Sequence, residues 1–123
     1  VEDWMNVDNF NSKDRSWNIM MHKVASFHSK FEFDNPENRG HDMGYRIALT
    51  VEELGEFAAA ITKEKPSEEA AEELADLLIL ILGHSLALKI DLFDAFYSKI
   101  EKVMDRPAIH TKLGIRVTEY KNK

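Results

Sequence analysis

The sequence contains no cysteine, so disulfide bonds and metal sites built on thiolates are excluded. It also lacks any excess of positive charge, because it has 16 basic and 22 acidic residues and a formal charge of -6. This balance gives no electrostatic case for nucleic acid or an anionic membrane as the main partner. An acidic protein can still bind a polyanion when metal ions lie between them.

The sequence has no apolar run long enough for a membrane span. The run from Leu77 to Leu82 is wholly apolar, but Asp76 opens it and His84 and Lys89 interrupt its continuation. A span needs about 20 predominantly apolar residues. The first residues, VEDW, also lack the basic region and apolar stretch of a signal peptide. We therefore expect a buried core or interface helix and a cytoplasmic protein.

The composition is that of one globular domain over residues 1–123, with 44% apolar and 31% charged residues. Apolar spacing predicts an all-α fold, a four-helix bundle with its core over about residues 14–107. The predicted helices run from about Asp14 to Phe31, Gly44 to Lys63 and Ser67 to Leu88, followed by a short helix that Asp91 caps and Pro107 ends. Ser67 is the predicted N-cap of the third helix.

Residues 108–123 are predicted as a C-terminal tail, in which Ile115, Val117 and Tyr120 fit either a strand or a loose tail. The third helix is apolar nearly all round beyond Leu74, so in a small bundle on its own one apolar face of this helix would be exposed to water. We expect this helix to pack against a second chain. The bundle would then be completed by oligomerisation, as a homodimer or a dimer of dimers.

Acidic residues form two clusters, Glu52, Glu53 and Glu56 on the second helix and Glu69, Glu72, Glu73 and Asp76 on the third. The acids of the second helix span an arc of about 100°. That arc lies nearly opposite the apolar stripe Ile47, Val51, Leu54, Ala58 and Ile61.

A tight turn near Lys65 would make the second and third helices an antiparallel pair, in which residues equidistant from the turn stand level. Glu53 then stands level with Asp76, and Glu56 with Glu73. Four such carboxylates could not all stay ionised in a partly buried cleft without a cation. Hard oxygen ligands without cysteine suit Mg²⁺, or Mn²⁺.

The segments EELGE at 52–56 and ELAD at 73–76 resemble the EExxE…ExxD signature of the all-α nucleoside triphosphate pyrophosphohydrolases. This MazG-like superfamily includes the dCTP pyrophosphatases and the phosphoribosyl-ATP pyrophosphohydrolases. The resemblance extends from about Trp17 to Pro107 and includes the Phe27-His28 pair.

The resemblance implies that Glu53, Glu56, Glu73 and Asp76 bind magnesium. It also implies catalytic roles for Glu53 and for Glu52, an additional ligand or the group that orients or deprotonates the attacking water. The implied reaction is hydrolysis of a (d)NTP to a monophosphate and pyrophosphate, in nucleotide-pool house-cleaning. Metal ions would let the triphosphate approach the acidic cleft.

Basic and aromatic side chains supply further substrate-binding candidates. Lys99, Lys102 and Arg106 share one helical face and could grip phosphates, although a solvated basic face near a helix C-terminus explains them equally well. Trp17 could stack on a base, but an aromatic residue on a helical stripe is more often core. Arg46 is another candidate phosphate contact.

Three other readings compete. A di-iron bundle needs Glu-x-x-His, and none of the five histidines has Glu three residues before it. His41-Asp42 resembles part of an HD-type phosphohydrolase site, but the dipeptide lies in a predicted loop without further spaced ligands. The non-enzymatic alternative is a helical adaptor or regulatory dimer whose acids are simply solvated, because Glu favours both helix and water.

Overall fold

The computed structural model describes the backbone of residues 13–118 and the side chains of residues 16–118. Four α-helices lie in this part of the chain: α1 Lys13–Lys30, α2 Met43–Thr62, α3 Ser67–Leu88 and α4 Leu92–Met104. A short 3-10 turn, Pro36–Asn38, lies between α1 and α2. The mostly helical fold that the apolar spacing predicts is confirmed.

Side-chain caps fix where two of the helices begin. Asp42 precedes α2 and its carboxylate accepts a hydrogen bond from the backbone N–H of Tyr45, at 3.0 Å. Asp91 precedes α4 and accepts from the N–H of Asp94 at 3.0 Å, so its predicted capping role is confirmed. The predicted N-cap of α3 is wrong, because Pro66 occupies that position without a side-chain hydrogen bond and Ser67 is already helical.

The C-terminal segment, for which the sequence left strand and loose tail open, contains two short strands. Strands β1 Ala108–Thr111 and β2 Gly114–Val117 pair as an antiparallel hairpin, with Ala108 opposite Val117 and Thr111 opposite Gly114. The Thr111 hydroxyl donates to the Gly114 carbonyl at 2.7 Å and accepts from the N–H of Leu113 at 3.2 Å. Gly114 adopts a φ of 138°, which side chains disfavour. Tyr120 lies outside the described residues.

The chain divides at Ile90 into two compact units. In the first unit α2 and α3 pack against each other, and α1 packs on α3. In the second unit α4 is followed by the β1–β2 hairpin. The expectation of one domain over residues 1–123 stays a prediction.

The core of the first unit is small and partly polar. Within the described part of this unit the buried apolar residues are Val24, Ala60 and Leu82, and the buried polar ones are His28, Arg46 and Ser85. None of the described helices is long and apolar enough to cross a membrane.

The apolar stripe of α2 faces outward in this chain. Its large members are between 54% and 64% exposed: Leu54, Ile47, Ile61 and Val51. The half-buried residues of α2 include Thr50, Glu53 and Phe57. Apolar side chains of α3 are exposed too, among them Leu74, Leu78 and Ile81. Both paired helices of the first unit therefore expose large apolar side chains.

Candidate functional site

The α2–α3 pair brings three acidic side chains to one point. Carboxylate oxygens of Glu53, Glu73 and Asp76 all lie within 4.8 Å of one another. Glu56 lies close enough for its charge to raise the pKa of both Glu53 and Glu73. The helical register inferred from the sequence therefore places Glu53, Glu73 and Asp76 at one point, with Glu56 near them.

The cluster is too crowded to keep every carboxylate charged without help. Burial, then the charges of Glu56 and Asp76, raise the pKa of Glu53 from 4.5 to about 7. Burial and Glu56 also raise the pKa of Glu73. Oε2 of Glu53 and Oε2 of Glu73 are buried, and neither has a hydrogen-bond partner within residues 16–118. Oxygen atoms held close together without donors fit a hard divalent cation.

Other residues singled out from the sequence lie outside this acidic cluster. Glu52 is exposed on α2, one position before Glu53. Trp17 is half-buried on α1. The three basic candidates belong to the second unit, where Lys99 and Lys102 are exposed on α4 and Arg106 is half-buried just after it. Their roles stay predictions.

Arg46 is buried, with 2% of its surface exposed, and its guanidinium is hydrogen-bonded to protein atoms. Nε donates to His84 Nδ1 at 3.0 Å, Nη1 to the Gly40 carbonyl at 2.8 Å, and Nη2 to the Leu80 carbonyl at 3.0 Å. One side chain of α2 thereby ties the loop before it to α3. Contact of Arg46 with a phosphate stays a prediction.

Sequence reasoning missed a set of histidines around Arg46. Nδ1 of His28 and Nε2 of His41 lie 2.8 Å apart, and Nε2 of His84 lies 2.9 Å from the Thr50 hydroxyl. These residues are far apart in sequence, and a search for Glu-x-x-His could not reveal them. The signal that could have pointed to His28 is its place on the inner stripe of α1, four residues after Val24.

A cavity of about 210 Å³ adjoins the acidic cluster. Its lining combines aromatic, aliphatic and ionisable side chains: Phe27, Phe33, Leu49, Ile79, Leu80, His28, Arg46, Glu53 and Asp76. The rings of Phe27 and Phe33 are 5.1 Å apart between centroids and meet at 70°. Apolar walls beside convergent polar groups are the usual composition of a small-molecule site.

The rival interpretation of His41-Asp42 finds a structural explanation in the same region. Asp42 caps α2, and its carboxylate also pairs with Arg39 at 3.4 Å. His41 contacts His28. Both side chains thus have partners within the fold.

A sequence model of the MazG nucleotide pyrophosphohydrolase domain matches residues 45–110, more than half of the 123 residues. The match includes all of the acidic cluster. Comparisons with curated proteins and with solved structures find no match. The resemblance noticed in EELGE and ELAD is thereby confirmed at the level of the family. On the strength of that match, the chain belongs to the MazG nucleotide pyrophosphohydrolase family.

Proposed function

We propose that this chain is a magnesium-dependent nucleoside triphosphate pyrophosphohydrolase that cuts (d)NTPs to monophosphates and pyrophosphate. Its role would be cytoplasmic nucleotide-pool house-cleaning. The observation that carries the proposal is the cluster of Glu53, Glu73 and Asp76, in which two buried carboxylate oxygens have no donor in the described part of the chain. Family membership supports the same class of reaction.

The proposed ligands of the cation are Glu53, Glu56, Glu73 and Asp76. Their all-oxygen donor set suits Mg²⁺ and would also accept Mn²⁺. When bound, a divalent cation supplies Lewis-acid stabilisation of the charge on the phosphates. The carboxylates would hold the cation beside the cavity that Glu53 and Asp76 line, where a triphosphate without a cation would be repelled.

Glu52 is proposed as an additional ligand or as the group that orients the attacking water and accepts its proton. Its exposed position directly before Glu53 leaves it open to solvent water. Phosphate contacts are proposed for Lys99, Lys102 and Arg106. Trp17 and Arg46 are proposed as further substrate-binding residues.

A second copy of the chain is proposed to cover the outward apolar stripe of α2 and the exposed apolar residues of α3. The same surface on two copies can pair across a two-fold axis, which makes a homodimer the simplest assembly, or a dimer of dimers. Exposure of Val51 at 64% and Ile47 at 56% supports this proposal, because uncovered apolar patches usually mark interfaces.

The same exposed stripe favours one alternative, a helical adaptor without enzymatic activity. Magnesium separates the two functions, because an adaptor with solvated acids should show little specific binding. A rise in melting temperature with millimolar Mg²⁺, measured beside a calorimetric titration, supports the enzyme.

Product analysis tests the reaction itself. Incubation of the chain with each common (d)NTP and Mg²⁺ should release the monophosphate and pyrophosphate in equal amounts. Release of diphosphate and orthophosphate would mean that a different bond is cut. Absence of any cleavage, together with little specific binding of Mg²⁺, would favour the adaptor.

A further inference from the structure

Arg46 on α2 and His84 on α3 stand level across the helix pair, because they lie nearly equally far from the turn that joins these helices. Glu53 and Asp76 stand level on the same pair, closer to the turn. Arg46, Thr50 and Glu53 are spaced by four and three residues, so they share one face of α2. At 1.5 Å per residue, Arg46 lies about 10 Å along the helix axis from Glu53. The two levels therefore belong to one seam between α2 and α3.

Hydrogen bonds at the level of Arg46 cross from α2 to α3. Arg46 Nε donates to His84 Nδ1 at 3.0 Å, and Arg46 Nη2 donates to the Leu80 carbonyl at 3.0 Å. The Thr50 hydroxyl lies 2.9 Å from His84 Nε2 and donates to the Arg46 carbonyl at 2.8 Å. Arg46, Thr50 and His84 thus form a polar bridge between the two helices.

Each hydrogen bond of the polar bridge has a defined direction. An arginine N–H can only donate, so Nδ1 of His84 accepts. Burial and then the charge of Arg46 lower the pKa of His84 below its usual value, so the imidazole is neutral at pH 7 and carries its proton on Nε2. Nε2 therefore donates to the Thr50 hydroxyl. Because each member fixes the role of the next, loss of one member disturbs the others.

Close packing also fixes the polar bridge in place. Arg46 is 2% exposed, and a Cβ at Gly83 on α3 would collide with its guanidinium. Arg46 Nη1 donates to the Gly40 carbonyl at 2.8 Å, so the loop before α2 is held as well. Sliding α2 along α3 by one residue would move these groups by about 1.5 Å and break their hydrogen bonds. The polar bridge therefore resists a change of register.

The acidic cluster lies where such resistance matters. Carboxylate oxygens of Glu53, Glu73 and Asp76 lie within 4.8 Å of one another, and their like charges repel across the helix pair when no cation lies between them. A metal site needs its ligands placed to within about 0.5 Å. The turn between α2 and α3 holds the helix pair on one side of the cluster, and the polar bridge lies on the other.

We infer that the polar bridge positions the carboxyl groups of the acidic cluster, by holding α2 and α3 at the register that places Glu53 opposite Asp76. Arg46, Thr50 and His84 are positioning residues that act through the two helices. The inference rests on the proposed function only for the identity of these carboxyl groups as magnesium ligands. It is separate from contact between Arg46 and a phosphate, because it operates without nucleotide.

The first test is a calorimetric titration with Mg²⁺ in the absence of nucleotide, on variants shown to be folded by circular dichroism. His84→Leu removes the acceptor of Arg46 and should weaken Mg²⁺ binding by about tenfold or more, as should Arg46→Met. Thr50→Val keeps the side-chain shape and should weaken binding by a smaller factor; it decides the test if the other two variants fail to fold. His84→Asn offers an oxygen in place of Nδ1 and should restore most of the affinity. The control is His22→Leu, at an exposed histidine of α1, which should bind as the wild-type chain does.

The second test needs neither metal nor hydrolysis. Glu53→Gln relieves repulsion in the metal-free cluster, and the resulting rise in melting temperature should be about half or less in the His84→Leu background, where the helices can already separate. Equal rises in the two backgrounds, or wild-type affinity for Mg²⁺ in folded His84→Leu and Thr50→Val, would overturn the inference. Unequal rises in a chain that cleaves no triphosphate would leave the positioning role standing and refute the proposed hydrolase.

Discussion

The carboxyl groups of the acidic cluster can be tested one residue at a time. Replacement by the matching amide keeps the size and shape of the side chain and removes one ligand charge. The substitutions are Glu53→Gln, Glu56→Gln, Glu73→Gln and Asp76→Asn. Each should lower turnover by about 100-fold or more and weaken Mg²⁺ binding in a calorimetric titration. Without metal, melting temperatures should stay level or rise, because crowded like charges repel.

Glu64→Gln and Glu68→Gln are the controls for that series, since both residues are exposed and lie outside the cluster. They should be nearly silent. Wild-type activity in both Glu56→Gln and Glu73→Gln would show that the proposed ligand set is wrong. Glu52→Gln separates its two proposed roles: normal metal affinity with lost turnover marks a group that acts on water.

Two residues near the cavity should give the metal-free chain opposite dependences on pH. The lowered pKa of His28 means that the unfolded chain binds the extra proton between about pH 4 and 6.5, so stability is lost as pH falls through that window. The raised pKa of Glu53 means that the folded chain binds the extra proton between about pH 4.5 and 7, so stability is lost as pH rises. The two contributions to the change of stability with pH have opposite signs, so they largely cancel over the pH range that the two windows share.

Variants separate the two slopes in denaturant titrations without metal at pH 5.0 and 6.5. Glu53→Gln should gain stability between these values more steeply than the wild-type chain, because one group with a raised pKa is removed while His28 remains. His28→Phe should lose stability over the same interval. Parallel curves for all three chains would show that neither group titrates differently in the folded and unfolded states.

At the scale of the elements, local rules predicted most of the helical structure. The starts of α3 and α4 follow from Pro66 and Asp91, and their lengths follow from the spacing of apolar residues. These signals depend only on residues a few positions apart in the chain. The N-cap of α3 was wrongly assigned to Ser67 because serine is a favoured N-cap residue, whereas the N-cap position is one residue earlier, at Pro66. The β1–β2 hairpin was missed because four-residue strands carry little periodicity, and their pairing depends on a turn closed by Thr111 and Gly114.

Long-range contacts explain what could not be predicted at the site. The level placement of Glu53 and Asp76 followed from a short turn between two helices. By contrast, Arg46 meets its partners in the preceding loop and on α3, and His28 meets His41 through the fold of the intervening segment. No helical period places such side chains, so only their three-dimensional contacts identify them.

Two glycines on the paired helices should respond oppositely to alanine. A Cβ at Gly83 on α3 would collide with Arg46 and lie 2.7 Å from His28 Nε2, whereas one at Gly55 on α2 would meet nothing within 4 Å. Gly83→Ala should destabilise the chain by about 1–3 kcal/mol through overpacking. Gly55→Ala should stabilise it by about 0.5–1 kcal/mol, because alanine favours helix.

Equilibrium unfolding in denaturant measures both changes, with equal slopes expected for the two variants. A neutral Gly83→Ala would mean that Arg46 and His28 move aside easily. That result would weaken the assignment of a fixed hydrogen-bonding geometry to these two residues.

At the scale of the whole molecule, the chain should run as a dimer or larger in light scattering at micromolar concentration. The physical reason is the exposed apolar surface of α2 and α3, whose burial favours association. Val51→Lys should shift the distribution toward monomer, because a charge would be buried at the contact. A monomeric wild-type chain at these concentrations would contradict the proposal. Lys112→Gln, a change at the exposed tip of the hairpin, is the control.

The outward apolar face of α2 has a consequence for how the protein depends on its own abundance. Among residues 16–90 of the first unit, the buried apolar residues are Val24, Ala60 and Leu82, which make a small core. On the proposed assembly, the contacts between copies would supply much of the burial that the core lacks. Folding and association would then follow mass action together, so dilution alone should lower the melting temperature and expose the chain to proteolysis. The concentration of the protein would thus set the fraction of its acidic clusters that are assembled and able to bind a cation.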